Sequence, residues 1–399
     1  MRKSPPLPLS FAAVVALFCA ALAVAQNSPQ DVVRNLTPEQ RARIQAKLPE
    51  LRAEIQTLAP EKRIERATAY FESHKDLTPA QRLGLRDYFL QQAGYAPAQN
   101  TPPAPAHPLT ALTDFGATTF QGKKGGLYPD GSNERPAAHN TEGLRIANAI
   151  KPLDANGKPD DANGRIVWLS IGMSNTAQAT QAFFAQVRNL PELNPKLELV
   201  DGAFGGQAIN QINRPDAPYW NNVAAQRLKP RGLTPGQVQI VWYKQAEMGP
   251  TETDFVKYTA ELKSKYADVV RILKREYPNL KIVYMSPRSY GGYAKTKLNP
   301  EPFAWYTGWT IKFLIEDQIN GAADLRFNGE NAPAPWLAWG PYLWADGEKA
   351  NANGLSYSAS DFGADGTHPS ETGARKIGAE MLRFFTTDET AKPWFLRQQ

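Results

Sequence analysis

The sequence predicts an α/β fold in which helices cover both faces of a mainly parallel sheet. From residue 165 onward, short apolar, β-rich runs alternate with stretches of helical length. Continuous apolar runs are typical of strands that are buried on both faces. Their alternation with helices is typical of a parallel sheet with crossover connections.

Length and composition limit the classes of protein to consider. A chain of 399 residues has room for about two domains. Hydrophobic residues make up 42% and charged residues 21%, which is enough for a sizeable core. The net charge is +6, but basic and acidic residues are interleaved, and no basic run with interspersed aromatics occurs. We therefore expect no nucleic-acid partner.

The first 25 residues have the features of a signal peptide. Arg2-Lys3 supplies a positive start, an apolar run follows over residues 11–24, and Ala23-Val24-Ala25 is a small-x-small cleavage site. We expect cleavage after Ala25 and a secreted or periplasmic protein. The only cysteine, Cys19, lies inside this segment, so no disulfide is expected. No later apolar run is long enough to predict a membrane span.

Residues 26–95 predict a small helical region. Thr37-Pro38-Glu39-Gln40 and Thr78-Pro79-Ala80-Gln81 each combine an N-cap, a proline at the first helical position and a glutamine three residues after the cap. A role for this region in docking an unknown partner is one interpretation. The proline-rich stretch 96–108 is predicted to be a linker to the α/β domain at 109–399.

Within the α/β domain, apolar runs and helical patterns follow one another in a regular order. Long helical patterns run from about 253 to 276 and from 302 to 319, and a last helix ends near Phe385. An aromatic-rich segment that ends near Trp344 is not assigned to a strand. The runs that predict strands are 166–169, 197–200, 238–243 and 281–285.

Ser174 is the first candidate for chemistry. Gly172 ends the first predicted strand, and a helical pattern opens at Ser174-Asn175. The serine would then lie at the carboxyl end of the sheet, at a helix N-terminus, where backbone N–H groups can hold an oxyanion. The alternative is that Ser174 only caps the helix, as serine commonly does.

Further polar residues follow the other predicted strands. Gly206 follows the second strand, Gln245 follows the third, and Asp365 and His368 precede the last helix. All should share one edge of the sheet. His368 is a candidate general base that Asp365 orients, with the N–H groups of Gly206 and Ser174 and the Gln245 amide as oxyanion donors. Each motif also has a simpler interpretation when it is taken singly. Asp365 and His368 would form a turn with a surface histidine, Gly206 would allow a tight turn, and Gln245 would be a solvated loop residue.

The ordered set of motifs resembles the sequence blocks of the SGNH (GDSL-type) hydrolase superfamily. The greatest similarity is to its carbohydrate acetylesterase branch, which includes sialate O-acetylesterase-like and acetyl xylan esterase-like proteins. The resemblance covers about residues 165–386. The motifs are Gly172-Met173-Ser174-Asn175, Gly205-Gly206, Gln245-Ala246-Glu247 and Asp365-Gly366-Thr367-His368-Pro369.

This resemblance implies a three-layer α/β/α, flavodoxin-like fold and a serine esterase. Ser174 would be the nucleophile, His368 the base and Asp365 its partner, with Gly206 and Gln245 completing the oxyanion hole. The implied substrate is an acylated, above all acetylated, carbohydrate, and no metal or organic cofactor is implied.

Two residues depart from the pattern of that branch. Met173 stands where Asp or Gln is usual before the serine, and Ala246 replaces the glycine after Gln245. We expect the first to change packing under the nucleophile. The second would tilt the Gln245 donor and lower or specialise the activity.

Substrate contacts are suggested by a concentration of tryptophans. Five of the nine lie within residues 305–344. Trp305, Trp309 and Trp339, together with Asn175, are candidate substrate-binding residues, because aromatic faces can stack on sugar rings. The alternative, equally open from the sequence, is that these aromatics pack a helix and loop onto the sheet.

Three other functions remain compatible with the sequence. A lipase or thioesterase of the same fold would prefer longer acyl chains. A catalytically silent carbohydrate-binding protein would bind sugar irrespective of Ser174. A structural envelope protein would use the helical region for docking.

Overall fold

The described residues of the computed structural model fall into two compact units, one that ends by residue 93 and one that starts at residue 109. The predicted signal peptide at 1–25 and the predicted linker at 96–108 lie outside the described residues. These are 36–58, 63, 66, 67, 69–71, 73, 74, 76, 77, 79–93, 109–116 and 118–397.

In the N-terminal unit, helix α1 spans Pro38–Gln56 and helix α2 spans Pro79–Gln92. The predicted capping box of α1 is present: the Gln40 N–H donates to the Thr37 hydroxyl, and the Thr37 N–H donates to Gln40 Oε1. The second predicted cap, Thr78, lies outside the described residues. The core of this unit is built from apolar side chains, including Ile44, Leu51, Ile55, Phe71, Leu85 and Phe89.

In the C-terminal unit, a 3₁₀ turn at Leu112–Asp114 precedes a short antiparallel hairpin, β1 (Thr119–Phe120) and β2 (Lys123–Lys124). A five-stranded parallel sheet follows, in the order β4-β3-β5-β6-β7. This is the order of doubly wound, flavodoxin-like sheets, so the predicted fold class is confirmed. The strands are β3 (Ile166–Gly172), β4 (Leu197–Asp201), β5 (Val238–Lys244), β6 (Ile282–Met285) and β7 (Trp336–Trp339).

Helices cover both faces of this sheet. They are α3 (Ala137–Asn148), α4 (Ser174–Val187), α5 (Ile209–Ile212), α6 (Pro218–Val223), α7 (Phe255–Glu276), α8 (Phe303–Ile319), α9 (Glu371–Thr387) and α10 (Lys392–Phe395). Strand residues alternate between two cores: Trp168 and Trp242 pack with α3, α4, α9 and α10, whereas Val167 and Val241 pack with α5 to α8. No described helix combines the length and the apolar character needed to cross a bilayer.

The edge strand β7 is the one strand of the parallel sheet that the sequence did not predict. It is four residues long, lies between Pro335 and Gly340, and pairs in parallel with β6. A run this short has no distinctive period. Its pairing partner decides its conformation, because the backbone groups of β6 on that side require an acceptor and donor.

Candidate active site

The candidate site lies at the switch point of the sheet. From β3 the chain moves outward to β4 and then returns to β5 on the opposite side of β3. Open α/β sheets bind ligands in the crevice that this reversal leaves at the carboxyl ends of the strands. Ser174 follows β3 and Gln245 follows β5, so both predicted residues border that crevice.

Ser174, His368 and Asp365 form one chain of hydrogen bonds. Ser174 Oγ lies 2.6 Å from His368 Nε2, and His368 Nδ1 lies 2.5 Å from Asp365 Oδ2. The other carboxylate oxygen, Oδ1, accepts the backbone N–H groups of Thr367 and His368, both at 3.0 Å. With Nδ1 donating to the carboxylate, Nε2 can accept the serine proton, which is the arrangement of a nucleophile, a base and an orienting acid.

The electrostatics of Asp365 suit the orienting role. Burial by itself would raise the pKa of this carboxyl, but the hydrogen bond and the charge of His368, together with the two backbone N–H donors, lower its pKa to about 2. Asp365 is therefore ionised at neutral pH and can hold the imidazole in the required tautomer.

Ser174 is the first residue of α4, and Met173 occupies the N-cap position without a side-chain hydrogen bond. The serine hydroxyl is hydrogen-bonded to His368 instead of capping the helix. The N–H groups of Thr176 and Ala177 donate to the Met173 carbonyl at 3.0 Å. The Ser174 N–H belongs to the first turn, where the helix itself offers no acceptor.

The loop after β4 lies against the serine. A Cβ on Gly205 would stand 3.9 Å from the Ser174 Cβ, and the Phe204 N–H donates to the Gly172 carbonyl at 3.1 Å. Gly206, the predicted donor, has φ near +73°, a left-handed conformation that glycine adopts without strain. Gly205 is thus the neighbour of the nucleophile, and Gly206 turns the chain behind it.

Gln245 is buried and links two loops. Its Nε2 donates to the Gln207 carbonyl at 2.7 Å, and its Oε1 accepts the Ala246 N–H at 3.1 Å. One amide hydrogen therefore holds the loop after β4. Only the second is left to meet the predicted role as an oxyanion donor.

Asn175 is not presented to a ligand, which corrects its assignment as a substrate-binding residue. It is 4% exposed, and its Oδ1 accepts from Lys244 Nζ at 3.1 Å. Lys244 is completely buried at the end of β5; this burial, reinforced by the charge of Arg288, holds the pKa of the lysine well below its usual value. The pair fastens the start of α4 to the end of β5.

The tryptophan assignment is also wrong. Trp305, Trp309 and Trp339 are 1%, 0% and 2% exposed and belong to the core between the sheet and α7 and α8. The indole N–H of Trp305 donates to the Thr110 carbonyl at 2.7 Å, and that of Trp339 donates to Leu127. None of the three offers a ring face to a sugar.

Two buried charged residues near the site were missed. Arg288 follows β6 and is 1% exposed; its Nε and Nη1 have no hydrogen-bond partner among the described residues. The Glu301 carboxylate accepts the N–H groups of Gly291 and Trp305 and the Trp344 indole, and burial raises its pKa to about 7. The sequence held one indication of Arg288, which is its position: it follows a predicted strand at the catalytic edge of the sheet.

Two tyrosines lie on a segment that is hydrogen-bonded to the catalytic loop. Tyr290 and Tyr293 are half-buried, and their ring centroids are 5.0 Å apart at an interplanar angle of 79°. The Lys295 N–H donates to the Asp365 carbonyl at 2.8 Å, so this segment is fastened to the loop that carries the acid and the base. The sequence did not single out these tyrosines.

Comparisons with known proteins give weak likenesses. The sequence matches no protein-family model and no curated protein. One similar solved structure, from Bacteroides fragilis, is described as a "putative acylhydrolase"; identity is 12%, the TM-score is 0.32, and the match covers 63% of this chain and 97% of that one. A salicylyl-acyltransferase from a tetracycline biosynthetic pathway has 13% identity and a TM-score of 0.30, covering 57% of this chain and 56% of that one. Similarity this low does not bear on the chemistry of the site.

Proposed function

We propose that this chain is a serine esterase of the SGNH type that hydrolyses acyl esters through an acyl-enzyme. The supporting observation is the unbroken chain of hydrogen bonds Ser174–His368–Asp365 at the carboxyl edge of a parallel sheet. Each member contributes the chemistry that acyl transfer requires: a hydroxyl nucleophile, a base in contact with it and an ionised acid behind the base.

The reaction proceeds in two steps. Ser174 Oγ bonds to the ester carbonyl carbon while its proton passes to His368 Nε2. The bond to the leaving alcohol breaks, and the alcohol oxygen takes that proton from His368. Water then attacks the acyl-enzyme and gives a proton to His368, which returns it to Ser174 Oγ as the carboxylic acid leaves.

The negative charge on the carbonyl oxygen needs preorganised donors. The Ser174 N–H lies at the positive end of the α4 dipole, and the backbone of Gly205 lies beside it. The second amide hydrogen of Gln245 is a third candidate. Removing one such donor commonly costs about 10²–10³-fold in rate.

The finer parts of the proposal are an exported enzyme and an acetylated carbohydrate as substrate. Export is supported by the signal-peptide pattern of residues 1–25 and the carbohydrate by the motif resemblance. Because the tryptophans are buried, the aromatic surface for a sugar moves to Tyr290 and Tyr293.

The test is acetate release from an acetylated polysaccharide and from p-nitrophenyl acetate. The chain from Gln26 on is compared with its Ser174→Ala variant and with Ser360→Ala, a control at an exposed serine. We expect activity in the parent and the control, and a loss of at least 10⁴-fold in Ser174→Ala.

The outcomes separate the parts of the proposal. Equal activity in the parent and Ser174→Ala would eliminate the serine mechanism. Activity on p-nitrophenyl acetate but not on the polysaccharide would support the esterase activity and contradict a carbohydrate substrate. An inactive parent whose Ser174 also resists a fluorophosphonate label would contradict the esterase assignment altogether.

A further inference from the structure

A small apolar cluster at the catalytic edge is separate from the two cores of the sheet. Met173, Ala208 and Ala246 are buried, and the half-buried Met248 packs against them. We call these four residues the methionine–alanine cluster. They come from three different loops, those after β3, β4 and β5.

Each member is one to three residues from a residue of the proposed machinery. Met173 precedes Ser174, and Ala246 follows Gln245. The loops are fixed to one another, because the Ile209 N–H donates to the Ala246 carbonyl at 3.1 Å and Gln245 Nε2 donates to Gln207. The cluster is therefore held among the three loops that carry Ser174, the Gly205-Gly206 turn and Gln245.

The cluster also joins the two departures from the SGNH motifs. Met173 and Ala246 replace a polar residue and a glycine, and both belong to the methionine–alanine cluster. Next to the nucleophile, Met173 therefore gives an apolar side chain in place of a polar one, and Ala246 adds a methyl group where the motif has a glycine. The two substitutions thus form one packing unit.

From this placement we infer that the methionine–alanine cluster is the wall that contacts the acyl group of the ester and limits its length. The inference rests on the proposed function. An acyl carbon bonded to Ser174 Oγ brings its alkyl substituent close to the adjoining side chains. Ala208 and Ala246 are 1% and 0% exposed, so the surface that the cluster offers that substituent is the half-buried Met248, packed on the buried members. That surface is apolar and uncharged, which favours a short, uncharged acyl chain.

Met248 is the residue that best tests this inference. It is half-buried, so truncating it removes wall without emptying a packed core. Met248→Ala should admit longer chains, whereas Met248→Leu keeps the volume and should not. Val256→Ala is a matched control, since Val256 is apolar, 56% exposed and outside the cluster.

The experiment measures kcat/KM on p-nitrophenyl acetate, butyrate and hexanoate for the chain from Gln26 on. We expect Met248→Ala to raise the butyrate-to-acetate ratio at least tenfold, since a methylene in a shaped pocket discriminates by about 10–200-fold. Met173→Ala should act in the same direction, with its folding checked by denaturation. Met248→Leu and Val256→Ala should keep the parent ratio.

A second readout does not depend on turnover. Labelling of Ser174 by p-nitrophenyl ethyl-, butyl- and hexylphosphonates, followed by mass spectrometry, should shift toward longer chains in Met248→Ala. Unchanged ratios, or an equal fall on every ester, would overturn the inference while leaving the esterase intact. A parent that neither hydrolyses the esters nor is labelled would instead refute the proposed function, and the inference with it.

Discussion

The catalytic loop and the tryptophan-rich segment both contained candidate ligand contacts, although packing was an equally open interpretation of the tryptophans. The structure gives the two segments different outcomes. In the loop at 365–368, the acid and the base are hydrogen-bonded to each other and to the serine. In the segment at 305–344, all five tryptophans are buried. A predicted site is therefore stronger when its residues contact one another within a single turn. It is weaker when it depends on the direction in which large side chains face.

The physical difference lies in the range of the interactions. Asp365 reaches the Thr367 and His368 N–H groups two and three residues away, so the turn organises itself. A tryptophan is placed by the sheet and helices around it. Its large apolar area is driven inward wherever the fold provides room.

The largest effect on activity is expected from a substitution in the catalytic loop. Asp365→Asn keeps the size of the side chain but removes the charge that orients His368 and selects its tautomer. We expect kcat on p-nitrophenyl acetate to fall by roughly 10³–10⁴-fold, with little change in KM. A fall of less than tenfold would show that His368 works without its partner.

In the tryptophan-rich segment, Trp309→Ala should lower the stability of the fold. Trp309 is completely buried, and truncation of such a side chain costs about 3–5 kcal/mol of unfolding free energy. Urea denaturation measures this loss. If the variant kept its stability but lost affinity for an acetylated polysaccharide, the tryptophan would be a sugar contact after all.

Acid should weaken the loop within a defined pH range. The pKa of Asp365 is lowered to about 2 in the folded chain, against about 3.9 for an unfolded aspartate. Its stabilising contribution is therefore present above pH 4 and is lost as the pH falls toward 2.

The contribution is at most about 2 kcal/mol, because the side chain is partly exposed. The difference in unfolding free energy between the parent and Asp365→Asn should shrink between pH 5 and pH 2. A difference that stays constant over this range would contradict a lowered pKa.

The smallest effect is expected at the tyrosines. Tyr293→Ala removes a half-buried ring, so the loss of stability should be well below that of Trp309→Ala. We expect KM for an acetylated polysaccharide to rise several-fold while kcat/KM on p-nitrophenyl acetate is unchanged. Equal effects on both substrates would mean that the ring only supports the catalytic loop.

Many of the strands and helices of the α/β unit were predicted from the sequence. The strands β3 to β6 and the helices α7 and α8 start and end within about three residues of their predicted bounds, because buried parallel strands are continuous apolar runs. Strand β7 was missed, since four residues between a proline and a glycine carry no period. The capping box of α1 was predicted from its four residues, because its hydrogen bonds span only three positions.

The sequence by itself determined the strands β3 to β6, the helices α7 and α8, the turn that joins Asp365 to His368 and the serine at the start of α4, because each depends on contacts between residues close in the chain. The tertiary structure alone decided which polar residues reach the crevice. It placed Asn175 against Lys244, enclosed the tryptophans and brought Met173 to Ala246. Those outcomes depend on the strand order β4-β3-β5 and on which face each side chain meets, and these are properties of the assembled sheet and not of any single segment.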